Sequence, residues 1–481
     1  MNAIEETSRC LLCQDAPCTS ACPEKHDPAR GIMAIRFDNA RNAGFWFGDK
    51  CAGCEAPCED ACIHYDRPIR IKQLAAALTP RKKVADRDLS VEFCGIHAEN
   101  PFFLGSAVEA SNYEMIASAL RMGWAGVFYK TTSFISIEEV SPRFDTVDKE
   151  STHLIGFRNM EQLSEHKPEY DFSVIKRLKE EFPNKVIVAS IMGRNDDEWK
   201  ALARMAEEAG ADMVECNFSC PQMTEKGTGS DVGQNPELVE QFTKAVRQAT
   251  GIPVIAKMTP NITHIEEPAA AAIRGGANGI AAINTIKSVT LGYRAEVNHQ
   301  CTISGYSGKA VKPISQRMIL ELSSDSRTSG TQLSGIGGIE TWRDALEYIL
   351  LGCGIVQVVT SVMQYGYRII EDLTSGLADF MDRHGEPSVK ALQGRAIKHF
   401  VPADMLDRKT YVLPKFDREK CIGCGRCFIS CRDGGHQAIR FEADRTPHLI
   451  GSKCVGCHLC LLICPTGAIS DSNRVPKPPK Q

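Results

Sequence analysis

The sequence has no run of eighteen apolar residues and its mean hydropathy is negative, so nothing in it reads as a membrane-spanning helix. The first residues, MNAIEETSRC, are polar and acidic where an export leader needs a basic end followed by an apolar stretch, so the expected location is the cytoplasm. Neither charge sign is in excess: 56 Lys and Arg against 60 Asp and Glu leave a net charge of -4, which gives no reason to expect nucleic acid or an anionic membrane as partner. Phosphate-binding fingerprints are missing too. Neither G-x-G-x-x-G after a strand nor G-x-x-x-x-G-K-S/T occurs, which argues against a doubly wound dinucleotide fold; the nearest miss, GTGSDVG at 227–233, is one residue too long.

Cysteine is the opposite case. The 481 residues, enough for a large barrel with appendages, contain 21 cysteines, and a reducing cytosol would keep them from pairing as disulfides, so metal ligation is the natural reading. Sixteen fall into four groups of four: Cys10, Cys13, Cys18 and Cys22; Cys51, Cys54, Cys58 and Cys62; Cys421, Cys424, Cys427 and Cys431; Cys454, Cys457, Cys460 and Cys464. The last two groups, CIGCGRCFISC and CVGCHLCLLICP, are each C-x2-C-x2-C-x3-C. Three thiolates at this spacing wrap one face of an iron-sulfur cube and the other run supplies the fourth. Cys421, Cys424, Cys427 and Cys464 are expected to hold one 4Fe-4S cluster, and Cys454, Cys457, Cys460 and Cys431 a second. Zinc sites use C-x2-C pairs but seldom three cysteines within seven residues followed by a fourth. Pro465 after Cys464 fits the two-cluster ferredoxin pattern, whereas Arg432 after Cys431 departs from it. The two N-terminal groups are less regular, and their spacing alone admits zinc as well as iron and sulfide.

Between the arrays, short β-rich runs alternate with helical ones. PFFLGSAV, GVFYKT, VIVASIM, DMVECNFS, PVIAKMTP, GIAAIN, LSGIGGI and IVQVVTSV are eight strand candidates, most followed by amphipathic helices such as DDEWKALARMAEEAG and NPELVEQFTKAVRQAT. This predicts an α/β fold of the TIM-type β/α barrel, whose chemistry sits at the carboxyl ends of its strands. Polar residues fall at those ends: Lys130, then Asn217, Ser219 and Cys220, then Lys257, Asn284 with Thr285, the pair Gly337 and Gly338, and Thr360 with Ser361 ending the eighth strand. A Gly-Gly turn beside a hydroxyl-rich strand end offers backbone N–H groups to a phosphate such as that of FMN. The expected domains are a helical iron-sulfur domain over 1–78, an FMN-binding barrel over 88–385, a two-cluster ferredoxin domain over 412–472 and a disordered tail over 473–481, with 79–87 as a solvated linker.

CLLCQDAPCTSACP resembles the amino-terminal iron-sulfur domain of dihydropyrimidine dehydrogenases and of the glutamate synthase small subunit, a helical module holding two 4Fe-4S clusters. NFSCPQ, AKMTPN, INT, SGIGGIETW and GFRNMEQL resemble the flavin domain of dihydropyrimidine dehydrogenases, which are relatives of dihydroorotate dehydrogenase. With both arrays the resemblance covers nearly the whole chain. It implies four 4Fe-4S clusters and one FMN. Cys10, Cys13, Cys18 and Cys62 would share one N-terminal cluster; Cys22, Cys54 and Cys58 would hold the other. The family's remaining ligand there is a glutamine, but Ala75 stands at the matching place, leaving Cys51, which we favour, or Gln73.

By the same resemblance Ser106, Lys130, Lys257, Gly308, Gly337, Gly338, Thr360 and Ser361 would contact the flavin, and Asn159, Glu161, Asn217, Ser219, Asn284 and Thr285 the pyrimidine. Amides both donate and accept, which suits a ring with alternating carbonyls and N–H groups, and Glu161 can accept from a ring N–H. Cys220, at the family's acid position, would give a proton to C5 as hydride reaches C6. Cys353, by contrast, reads as a small buried hydrophobe. The family's FAD and NAD(P)-binding domain has no counterpart between the N-terminal cysteines and the barrel. The resemblance therefore implies a homo- or hetero-oligomer in which a partner FAD/NAD(P) subunit or other donor feeds electrons through the clusters to FMN. Two rival readings remain: a dihydroorotate-type dehydrogenase on the same barrel, or an electron-transfer subunit with a non-catalytic barrel.

Overall fold

The computed structural model describes residues 3–64, 66–78, 86–147, 154–221, 223, 226–290 and 302–477. Most of the expected linker, 79–85, and Cys301 lie outside the described residues. The chain divides into two compact units, Ala3–Lys398 and His399–Gln481. The N-terminal cysteine segment thus belongs with the barrel rather than forming a separate compact unit.

Eight parallel strands close the barrel in chain order: β1 Phe102–Leu104, β2 Gly126–Phe128, β3 Val186–Ile191, β4 Met213–Asn217, β5 Val254–Lys257, β6 Gly279–Ala282, β7 Gln332–Ile336 and β8 Cys353–Val358. All eight coincide with the runs read from sequence. They are near-continuously apolar because helices cover one face and the packed barrel interior the other; every residue of β3, β4, β5 and β8 is buried. The helices follow local rules. Asn195 caps Asp196–Glu208 by accepting the Glu198 N–H at 3.1 Å, three acidic residues fill its first turn, and Trp199, Leu202, Ala203 and Ala206 make the buried stripe. Asn235 caps Pro236–Ala249 in the same way, with Pro236 opening the helix.

Two additions decide which end of the barrel is open. A hairpin of Val91–Phe93 and Ile96–Ala98 closes the amino end, its two-residue turn using left-handed Cys94 (φ 50°) and Gly95 (φ 81°), the geometry that matches strand twist. Phe93 is buried there against the starts of β6 and β8, and an added Cβ at Gly354 would lie 3.3 Å from its ring. At the other end, segments inserted after β2 and β6 form a four-stranded antiparallel sheet ordered Ile286–Ser288, Ser304–Ser307, Gly156–Asn159 and Phe144–Val147.

Helices Pro28–Arg36 and Ala40–Phe47 of the cysteine segment dock on the barrel by polar contacts. Asn39 Nδ2 donates to Asp372 Oδ1 (3.3 Å) and Ser375 Oγ (2.9 Å), Arg41 pairs with Asp379 at 2.6 Å, and Trp342 Nε1 donates to the Asp38 carbonyl at 2.7 Å. The docking helix Ile370–His384 is followed by Val389–Leu392, so this unit outruns the expected barrel boundary at 385.

In the second unit Thr410–Phe416 pairs with Ile469–Pro476 as an antiparallel ribbon that reaches from Phe416↔Ile469 to Thr410↔Pro476. Of the tail expected over 473–481, residues 478–481 lie outside the described residues, and 473–476 are strand. Their side chains carry no apolar alternation, because the ribbon there is held by main-chain hydrogen bonds rather than burial. Among the described residues no helix is long and apolar enough to cross a membrane.

Candidate active site and cysteine-lined cavities

A cavity opens at the carboxyl ends of the barrel strands, beneath the antiparallel sheet. Every residue expected for flavin or pyrimidine lines it except Ser219. Ser219 is fully buried behind the wall, where it accepts from Asn284 Nδ2 at 2.8 Å and donates to Asn217 Oδ1 at 2.7 Å. β8 ends at Val358, so Thr360 and Ser361 open the short helix Thr360–Tyr365 instead of ending the strand. The Ser361 hydroxyl is spent on the Ile339 carbonyl at 2.6 Å, whereas Thr360 Oγ1 shares a hydrogen bond with Ser307 Oγ at 2.9 Å.

One side of the cavity is made of glycine. Gly308 (φ 88°), Gly337 (φ 130°) and Gly338 (φ 69°) all occupy conformations that side chains disfavour, and a Cβ on Gly338 would stand 2.7 Å from Lys312 Cβ and 2.9 Å from the Gly308 carbonyl oxygen. The main chain is bare here, a cradle that suits the phosphate end of a flavin mononucleotide. Tyr348 holds the turn from behind by donating to the Gly337 carbonyl at 2.6 Å.

Two buried lysines stand apart from this cradle. Lys257 Nζ donates to Ser106 Oγ at 2.8 Å and lies 3.6 Å from Glu215. Lys130 Nζ pairs with Glu161 at 3.0 Å, and the second oxygen of Glu161 takes the guanidinium of Arg143 at 2.9 Å. Arg143 also bonds Glu165 at 3.0 Å; these carboxylates, Glu161 first, raise its proton affinity. Sequence reading missed Arg143, which is separated from Glu161 by a hairpin and reaches it only because Phe144–Val147 and Gly156–Asn159 pair. Asn159 Oδ1 accepts the Glu161 N–H at 2.6 Å, so these two cavity residues order each other. Cys220 is buried at 6% exposure, and its carbonyl accepts from Ser230 at 2.9 Å, which fixes the start of the loop that carries the thiol.

The sixteen grouped cysteines line four further cavities, four to each. Cys10, Cys13, Cys18 and Cys62 line one, shared with Met122, Arg368, Glu371 and Asp372 of the barrel; Cys22, Cys51, Cys54 and Cys58 line the next. In the second unit Cys421, Cys424, Cys427 and Cys464 surround one cavity, and Cys431, Cys454, Cys457 and Cys460 the other. Gln73 is exposed and lines none of these, while Ala75 is buried. A local repeat that sequence reading passed over underlies the N-terminal pair: Ala-Pro-Cys at 16–18 and again at 56–58, each with a left-handed alanine (φ 40° and 60°) before a one-turn helix. In both copies the last cysteine, Cys22 or Cys62, crosses to the other copy's cavity. Main-chain N–H groups aim at the sulfurs, Leu12 at Cys10 (3.5 Å), Ala56 at Cys54 (3.4 Å) and Ala438 at Cys431 (3.3 Å). Burial, with neighbouring thiols, pushes Cys18 up to about 11 and Cys58 up to about 12. Four thiolates cannot share such a space without a cation, which fits iron.

Of the isolated cysteines, Cys353 is wholly buried on β8 and Cys216 on β4, and burial raises both thiols; Cys94 sits in the amino-end turn, pushed up to about 12 by burial.

A family model described as dihydroorotate dehydrogenase matches residues 88–381, and a model described as a 4Fe-4S dicluster domain matches 415–470. The NAD-dependent dihydropyrimidine dehydrogenase subunit PreA of Escherichia coli (strain K12) is 53% identical over 391 residues, which are 80% of this chain and 95% of that subunit. The chloroplastic dihydropyrimidine dehydrogenase (NADP(+)) of Arabidopsis thaliana is 36% identical over 355 residues, 70% of this chain and 83% of the plant protein. The catalytic subunit of dihydroorotate dehydrogenase B (NAD(+)) of Pyrococcus horikoshii is 34% identical over 315 residues, 65% of this chain and 99% of that subunit. A glycine-cradled flavin barrel joined to cysteine-lined cavities, matched along the barrel by one model and along the C-terminal cysteines by the other, makes this chain an iron-sulfur flavoprotein oxidoreductase of the dihydroorotate dehydrogenase family.

Proposed function

We propose that the chain reduces the 5,6-double bond of uracil or thymine, or runs the reverse reaction, at FMN, with electrons relayed through four 4Fe-4S clusters from a partner FAD/NAD(P) subunit. The observation that carries this reading is the cavity wall, where Asn159, Glu161, Asn217 and Asn284 converge beside Cys220 while the guanidinium brought to Glu161 is already engaged by two carboxylates. Such a wall matches a neutral ring with alternating carbonyls and N–H groups, and among the described residues it offers a ring carboxylate no uncommitted arginine. The similarity to the bacterial and plant dihydropyrimidine dehydrogenases supports the same substrate class.

Gly308, Gly337, Gly338 and Thr360 would hold the phosphate end of FMN, and Lys130, Lys257 and Ser106 its ring side, with Ser361 contributing main chain because its hydroxyl is spent. When bound, FMN would supply the hydride for C6. Cys220, as a neutral thiol, gives its proton to C5, and in reverse its thiolate takes that proton. Glu161, paired with Lys130 and Arg143, accepts from a ring N–H, and Asn159 orients it.

Each cysteine-lined cavity would hold one 4Fe-4S cluster, with the fourth ligand exchanged between neighbours in both arrays. Cys51, inside the cavity of Cys22, Cys54 and Cys58, is the fourth ligand there; its Sγ is now 2.8 Å from the Phe47 carbonyl. The N-terminal sites would receive electrons from the donor subunit and the C-terminal sites pass them toward FMN.

The test reduces the anaerobically purified chain with dithionite and mixes it with uracil, thymine and orotate in turn. Reoxidation of flavin by uracil or thymine is expected, with NADH alone leaving the flavin oxidised until an FAD-containing donor is added. Reoxidation by orotate only would make the chain a dihydroorotate-type enzyme, and retention of flavin with no response to any pyrimidine would make it an electron carrier.

A further inference from the structure

Behind the amide wall runs a buried chain of hydrogen bonds that ends on a charged group. Glu215 on β4 is completely buried, with Lys257 at 3.6 Å to balance its charge. Ser190 on β3 donates to Glu215 Oε1 at 2.9 Å; Ser190 and Thr131 share a hydrogen bond of 2.9 Å; Asn217 Nδ2 donates to Thr131 Oγ1 at 2.9 Å. Beyond it lie Ser219, donating to Asn217 Oδ1 at 2.7 Å, and Asn284, donating to Ser219 at 2.8 Å.

We propose that Glu215 is a positioning residue that sets the direction of the bonds from Ser190 through Thr131 to Asn217 and so, together with the Ser219 N–H, holds the hydrogen-bonding pattern that Asn217 presents to a pyrimidine. The inference rests on the pyrimidine reading above. A carboxylate only accepts, so the Ser190 proton points at Glu215. The Ser190 oxygen must then accept, and the Thr131 proton points at Ser190. Thr131 in turn can only accept from Asn217, so the NH2 end of Asn217 faces inward and its oxygen faces Ser219. The main chain agrees with this polarity: the Ser219 N–H donates to Asn217 Oδ1 at 3.1 Å, and the Thr285 N–H to Asn284 Oδ1 at 2.8 Å. With both lone pairs of its oxygen taken by Ser219, Asn217 has one N–H left for the cavity. It is a donor there, and its ligand must offer an acceptor. Uracil, with a carbonyl at both C2 and C4, meets that demand in either orientation; cytosine replaces one carbonyl with a donor amine.

Ser190 lines neither the flavin cavity nor a cysteine cavity, so Ser190→Ala breaks the chain without touching ligand. It frees the Thr131 hydroxyl to donate toward Asn217, which removes the acceptor that holds the Asn217 NH2 group inward and leaves the Ser219 N–H alone to oppose turnover of the amide. The experiment measures uracil and cytosine binding to the oxidised holoenzyme by flavin spectral perturbation, together with kcat and KM for uracil. In Ser190→Ala the preference for uracil over cytosine should fall by about tenfold, roughly 1.4 kcal/mol, with uracil KM raised and kcat within about twofold of wild type. Thr131→Val should repeat the loss and Thr131→Ser, which keeps the hydroxyl, should restore the preference, so the comparison stands even where Ser190→Ala fails to fold. An unchanged uracil-to-cytosine ratio in Ser190→Ala or Thr131→Val, in protein that keeps flavin and iron, overturns the proposal while leaving the pyrimidine reading intact. No binding of either base by wild type overturns both.

Discussion

Replacing Gly338 by alanine tests the flavin cradle at the point where the main chain leaves no room. At φ 69° an L-residue pays about 1–2 kcal/mol that glycine does not. The new Cβ would also stand 2.9 Å from the Gly308 carbonyl oxygen and 2.7 Å from Lys312 Cβ. Neither neighbour is the far end of a flexible side chain, so no rotamer change relieves the contact, and the Gly337–Gly338 turn must move away from Gly308. A charge-assisted hydrogen bond to phosphate contributes about 1.5–3 kcal/mol. Loss of one such bond as the turn shifts weakens flavin retention by roughly ten- to a hundredfold. The assay removes FMN, titrates it back by fluorescence quenching and counts iron in the same preparation. Gly330→Ala is the control, since an added Cβ there meets nothing within 4 Å. Flavin affinity of Gly338→Ala within about twofold of the Gly330→Ala control would refute the cradle.

Cys220→Ala should keep flavin and iron but slow pyrimidine reduction by about two to four orders of magnitude, with Cys220→Ser partly active, as single-turnover flavin reoxidation would show; near-normal turnover removes the thiol from the mechanism. Cys51→Ala should lose or convert one N-terminal cluster by iron count and low-temperature EPR of reduced protein, while Gln73→Ala should match wild type; the opposite pattern makes Gln73 the ligand. Glu109 is fully buried, neither carboxylate oxygen has a hydrogen-bond partner, and burial pushes its pKa up to about 8. Its folded form prefers the proton, so no penalty exists below the ordinary glutamate range; the penalty grows by about 1.4 kcal/mol per pH unit up to about 8 and is constant above it. Glu109→Gln should therefore gain thermal stability over wild type at pH 8 and not at pH 5, and an equal difference at both values would refute that state of Glu109.

What the sequence determined is whatever is written locally. The eight strand runs, their capped amphipathic helices and the cysteine spacings all follow from short-range patterns, because burial on two faces forces continuous apolar strands and a cube forces closely spaced thiolates. Glycine pairs and strand-end amides were legible for the same reason, since the barrel puts every strand's carboxyl end at one mouth. Tertiary structure decided what depends on partners distant in the chain. The ribbon strand over 473–476 looked like a tail because main-chain pairing with Thr410–Val412 leaves no trace in side-chain periodicity. Arg143 met Glu161 only once two strands paired across an insertion. Glu215 sits in plain view in DMVECNFS, yet a buried carboxylate shows what it directs only when Ser190 and Thr131, drawn from two other places in the chain, are brought within hydrogen-bond reach of it and of Asn217 on its own strand.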